Sequence, residues 1–139
     1  MTLRMRRKRL KRSRAAWCDR VMLEAQYIGL CVNERQFHRE LLKLKIKPRE
    51  WPKFTNNNAH ATTHFFENHK EHGRIAVVCI TTSRSKTTEQ IYALLVHEAV
   101  HIWQSERDFI GEDKPGHETE AYAIQNIAQA LMVAFRDLR

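Results

Sequence analysis

The chain has 139 residues, 42 % of them hydrophobic, and its 24 Lys and Arg outnumber 16 Asp and Glu to give a net charge of +8. That length suits one domain with a real core and leaves little room for a separate recognition domain. No apolar run is long enough to cross a membrane, and four glycines exclude a glycine-rich phosphate loop as a main theme. Cys18, Cys31 and Cys79 are widely spaced without C-x-x-C, so neither a disulfide framework nor a cysteine zinc knuckle is expected.

The N-terminal stretch carries eight bases, Arg4, Arg6, Arg7, Lys8, Arg9, Lys11, Arg12 and Arg14, with no acid before Asp19. Without these eight, the remaining 16 Lys and Arg balance the 16 Asp and Glu, so the entire net charge belongs to this segment. Such a block repels itself, and residues 1–14 are expected to form a flexible or loosely helical arm ahead of a single domain over 15–139. Its natural partners are polyanions such as nucleic acid, because each phosphate contact releases counterions. A solubilising tail accounts for the same charge. No signal-peptide core follows, since Ala15-Ala16-Trp17-Cys18 is interrupted at once by Asp19. With no disulfide framework, a reducing, cytoplasmic interior is expected.

Residues 16–44 read as one long helix or two, with Val21, Ala25, Ile28 and Val32 at helical spacing and Phe37, Leu41, Leu42 and Leu44 continuing beyond a break near Gly29 or Asn33. Pro48 and Pro52 end any helix, and Asn56-Asn57-Asn58 leads into the next elements. Residues 59–66 and 75–82, rich in Thr, Val, Ile and Phe, are predicted as strands of a small, mostly antiparallel sheet, with a reversal between them. The run Ile75-Ala76-Val77-Val78-Cys79-Ile80 is continuous rather than alternating, which predicts a strand covered on both faces. His60 and His64 share one face of the first strand, and solvated or core roles are expected of them before a role in a cleft.

A helix is predicted next, and within it His97-Glu98-Ala99-Val100-His101 spells H-E-x-x-H. Positions four apart stand one above the other on a helix, so both imidazoles can face one metal ion. Glu98, one step round, is free to take a proton from a water that zinc has made acidic. Random order gives the pattern in about 4 % of chains of this composition, so its context matters. Ile91, Leu94, Leu95, Val96, Ala99, Val100, Ile102 and Trp103 surround it, and two His and a Glu are costly to bury there without a partner such as a cation. Beyond His101 the segment 111–116 has turn chemistry. A second helix follows from about His117, with Ala121, Ile124, Ile127, Ala128, Leu131 and Phe135 forming its core stripe. Its start carries His117, Glu118 and Glu120, the candidates for the third protein ligand that a catalytic zinc needs.

His97-Glu98-x-x-His101 followed by Glu118-Thr119-Glu120-Ala121-Tyr122-Ala123 resembles the gluzincin arrangement, including the short minigluzincins and the ImmA-type metallopeptidase domains. The resemblance covers roughly residues 52–131 and extends to small uncharacterised phage and prophage proteins. It implies a zincin-like α+β fold in which a C-terminal helix follows the H-E-x-x-H helix. It also implies a Zn2+ cofactor held by His97, His101 and Glu118, with Glu120 or His117 as alternatives for the third place. The chain departs from the pattern at Tyr122, where the family often has Asp or Asn to steady a ligand histidine.

The function expected is therefore that of a zinc metallopeptidase in which Glu98 is the general base. Tyr122 or His117 is expected as the donor to the oxyanion, and an edge strand is expected to pair with a peptide substrate. The basic arm suggests localisation to nucleic acid. The alternative is a catalytically inactive zincin-like module that binds nucleic acid or protein.

Overall fold

Residues 14–18, 27–69, 73–83 and 85–139 are described by the computed structural model of the chain. Their elements are β1 (Ala16–Cys18), β2 (Tyr27–Cys31), α1 (Glu34–Lys43), a 3-10 turn (Pro48–Glu50), β3 (Ala61–His69), β4 (Gly73–Ile80), α2 (Thr88–Ile110) and α3 (His117–Leu138). The bases Arg4 to Arg12 and the stretch 19–26 of the expected first helix lie outside the described residues. Four strands and three α-helices make an α+β fold, as expected. Among the described residues no helix is long and apolar enough to cross a membrane.

The strands form one sheet in the order β1-β2-β4-β3. β1 and β2 are antiparallel, β2 and β4 parallel, β4 and β3 antiparallel, so the sheet is mixed rather than simply antiparallel. β4 is its centre, and Ile75 to Ile80 are each at most 1 % exposed. Alternation sorts that run between two layers. Ala76, Val78 and Ile80 face the core built with α2 and α3, while Ile75, Val77 and Cys79 join Phe37 and Leu41 of α1. A continuous apolar run thus becomes a strand covered on both faces.

The same physics corrects the expectation of helix across residues 16–44. Among the described residues of that stretch, Ala16–Cys18 and Tyr27–Cys31 are strands and Glu34–Lys43 is helical. β2 lies parallel to β4, Tyr27 opposite Ile75 and Cys31 opposite Cys79, and it too is buried on both sides. In a doubly buried strand no polar residue marks the alternation, so the unbroken run Ile28 to Val32 hides it, and Ile28 and Val32, four apart, fit a helical stripe as well. Gly29 gives the pairing with β1 its close fit. It stands opposite Trp17 of β1, and a Cβ there would approach the indole carbons to 3.1 Å. The break expected near Asn33 is real: its side chain accepts from the Gln36 amide at 2.9 Å and starts α1.

α2 begins with a reciprocal capping box between Thr87 and Gln90 and ends at Gly111 in the left-handed conformation, φ 72°. The loop returns the chain antiparallel: Trp103 meets Glu120 near the start of α3, and Tyr92 meets Phe135 near its end. Leu95, Ala99, Ile102 and Trp103 of α2 and Ile127 and Leu131 of α3 are at most 2 % exposed in this interface and the sheet core.

Candidate metal centre

On a helix each residue turns about 100°, so His97 and His101 point nearly the same way while Trp103 lies on the opposite flank. The structure follows this arithmetic. Trp103 is buried under α3, whereas His97 and His101 are exposed on the free face of α2. Their Nε2 atoms are 3.1 Å apart, with ring centroids at 4.8 Å and planes at 75°. Two imidazole nitrogens bound to one tetrahedral zinc, at about 2.0–2.1 Å each, stand about 3.3 Å apart. The pair therefore already has the spacing of a two-histidine clamp. His101 Nδ1 lies 3.2 Å from Gln104 Oε1. A proton on Nδ1, donated to that amide oxygen, leaves Nε2 a bare lone pair suited to a metal.

Glu98 is buried, 4 % exposed, between α2 and the sheet edge. Thr63 of β3 donates from Oγ1 to Glu98 Oε2 at 2.5 Å. Strand alternation directs Thr63 toward α2 and His64 the other way. His64 stacks on Phe37 with centroids 4.7 Å apart, and its Nε2 lies 3.0 Å from the Phe54 carbonyl. Burial pushes the His64 imidazole below its ordinary pKa, against the opposing pull of that carbonyl and of Glu98. His64 is thus half-buried against the α1 layer, whereas His60 is exposed and lines a cleft.

Two clefts meet at this point. One of about 690 Å³ runs beside Ala59, His60 and Ala61 to His97 and Glu98, and another of about 320 Å³ adds Thr63, Phe65 and His101. Ala59, Ala61, His97 and Glu98 line both, so they are two ends of one trough between the edge strand β3 and α2. Among the described residues β3 pairs with β4 on one side only, and its other edge carries unpaired backbone groups that a further strand could meet.

The residues expected to complete the site all belong to the start of α3. Among the described residues no group of three His, Cys, Asp or Glu is placed to hold a metal ion. Glu118 is exposed in the first turn of α3. Glu120 accepts from Trp103 Nε1 at 2.8 Å and pairs with Arg107 at 3.7 Å, which commits it to the flank of α2 away from the histidines. Tyr122, 59 % exposed, and His117 also belong to α3, and neither lines the trough beside Glu98.

Three contributors escaped the reading of the sequence: Thr63, Gln104 and Lys86. Thr63 was legible in principle as the residue of the preceding strand that faces opposite to His64, and Gln104 as the position three beyond a ligand histidine. Lys86, which lines the larger cleft with Ser83 and Ser85, has no such signal. Compared with known proteins, the chain matches no family model, no curated protein and no solved structure.

Proposed function

We propose that the protein is a zinc metallopeptidase that hydrolyses peptide bonds in the trough between β3 and α2. The observation that carries this reading is the His97–His101 pair at near-ligand spacing beside a buried carboxylate. His97 and His101 would hold the metal through Nε2; the sequence pattern assigns the third place to Glu118, which is not gathered with the pair in this structure, so that the start of α3 would have to approach the pair when the metal binds. A bound zinc ion supplies Lewis acidity, which makes a water more acidic and polarises a carbonyl.

Within this proposal the chain's own groups do the rest. Glu98 takes the proton of the attacking water and passes it to the leaving amine. Thr63 holds Oε2 of that carboxylate, and Oε1 makes no hydrogen bond among the described residues, so one oxygen is anchored and the other is available to a substrate. Gln104 fixes the His101 ring. The open edge of β3 offers main-chain donors and acceptors that align an extended peptide along α2. The N-terminal arm localises the enzyme on nucleic acid, where bound proteins become its substrates.

Metal content by mass spectrometry tests the reading, on untagged wild type and on His97→Ala, His101→Ala, Glu118→Ala, Glu120→Ala and His117→Ala. The expected result is about one zinc per chain, lost in the first three variants and retained in the last two. Proteolysis is then assayed with Glu98→Gln as the inactive control. A wild-type chain that takes up no zinc would overturn the proposal.

A further inference from the structure

The trough extends well past Glu98. Beyond His97 its floor follows α2 back through Leu94, Ala93 and Gln90, and it closes on Ser83, Ser85 and Lys86. From His97 to Gln90 is seven residues of helix, about 10 Å of rise, a distance that an extended peptide covers in about three residues. Lys86 is part-buried at that far end. Its Nζ donates to Thr81 Oγ1 at 3.3 Å and makes no ion pair among the described residues. An ammonium carries three donors, so two are left for a ligand. The hydroxyls of Ser83 and Ser85, 2.8 Å apart, add neutral donors beside it.

Charge along the trough is therefore divided. Among the described residues its lining carboxylate is Glu98, held by Thr63 at one end, and its lining ammonium is Lys86 at the other. A part-buried cation above an apolar floor attracts an anion more strongly than a solvated surface lysine does, because both water and salt screen it less. Ala93 and Leu94 between the two ends suit the methylene stem of an acidic side chain rather than a second charge.

We propose that this end of the trough is a subsite for a carboxylate side chain, Asp or Glu, carried two to three residues from the bond that lies at the His97–His101 pair. The subsite rests on the peptidase reading for what happens to the bound peptide, but not for the binding itself. Lys86 is its positioning residue, and acidic peptides are its substrate class.

The test uses alanine-rich, fluorescein-labelled decapeptides in which one Glu, Gln or Lys is stepped through every position. Binding to full-length Glu98→Gln protein in the presence of zinc is followed by anisotropy. In the preferred register the Glu peptide binds about tenfold tighter than its Gln twin, and the difference shrinks as salt is raised. Adding Lys86→Glu reverses the preference toward the Lys peptide, while the exposed-surface change Lys47→Glu leaves it intact and so excludes general attraction to a basic chain. Equal binding of Glu and Gln peptides, a preference that survives Lys86→Glu, or no binding of any peptide would overturn the subsite. Incubating the same peptides with wild type separates the two claims. Selective binding without cleavage keeps the subsite and sinks the peptidase, and cleavage without acidic preference does the reverse.

Discussion

Thr63 on the edge strand and Glu98 on the histidine-bearing helix are joined by a 2.5 Å hydrogen bond between residues 35 apart in sequence. It links the layer that offers a peptide-pairing edge to the group proposed to move the proton. A buried carboxylate needs a donor, since leaving it unsatisfied costs about 1–3 kcal/mol or more. A hydroxyl from the neighbouring strand is a neutral one, which fixes the carboxylate without forming an ion pair with it.

Thr63→Val keeps the shape of the side chain and removes the donor. Under the proposed mechanism kcat falls about tenfold or more while bound zinc is unchanged, because Thr63 positions the base and is not a ligand. Thr63→Ser restores most of the rate. Zinc stoichiometry and steady-state kinetics on the three proteins decide it; a Val variant with full kcat shows that the bond is only structural.

Deleting residues 1–14 removes eight positive charges and leaves a chain of balanced formal charge. The full chain should bind duplex DNA with a steep salt dependence, up to a slope of about −7 in log K against log salt if all eight bases meet phosphates. The shortened chain should show little binding and a slope near zero. Filter binding or anisotropy between low and moderate salt measures both, and an unchanged slope removes nucleic acid from the functional proposal.

What was legible in the sequence divides by the range of the interactions involved. H-E-x-x-H fixes the relation of His97, Glu98 and His101 through helix geometry alone, and the structure has those side chains together. The unbroken run through Ile80 announced a doubly covered strand because β4 has a layer on each face. β2 was misread for the same cause, since burial on both faces erases the period that identifies a strand. Glu120 shows the other limit. Its acidity at a helix start fits metal chemistry and helix capping alike, and only the packing of α3 reveals that Trp103 and Arg107 hold it. That Thr63 faces away from His64 is local alternation, but that it meets Glu98 depends on how β3 lies against α2, a long-range property with no local signature.

His64 gives the fold an acid-sensitive element. Its folded pKa is lowered, chiefly by burial, so the unfolded chain binds the proton more readily. The stability that comes from keeping this ring neutral is present above the ordinary value of about 6.5 and is lost as pH falls through the lower folded value. Urea unfolding from pH 7.5 to 5.5 should show wild type losing stability faster than His64→Phe, which keeps an aromatic ring against Phe37 and does not titrate. Parallel pH dependence of the two proteins contradicts the assignment.

The last prediction concerns the far end of α2, where Arg74 of β4 meets Glu106. Their side chains are 11 % and 3 % exposed and their charged atoms 2.9 Å apart. Arg74 also donates to the Ser105 carbonyl and hydroxyl at 3.1 and 2.9 Å, and its guanidinium lies 4.0 Å over the Phe109 ring. The pair thereby ties the start of the central strand to the C-terminal part of the histidine helix. Coulomb attraction in such a place is largely cancelled by the cost of taking both charges out of water, so the intact pair adds little net stability. Its loss from one side is a different matter. Glu106→Ala leaves a buried guanidinium without its counter-charge and should destabilise by about 3–5 kcal/mol, whereas Arg74→Met with Glu106→Leu should lie within about 1–2 kcal/mol of wild type. A double-mutant cycle by urea unfolding measures this, and a single variant as mild as the double would show that Ser105 and Phe109, rather than the carboxylate, hold Arg74 in place.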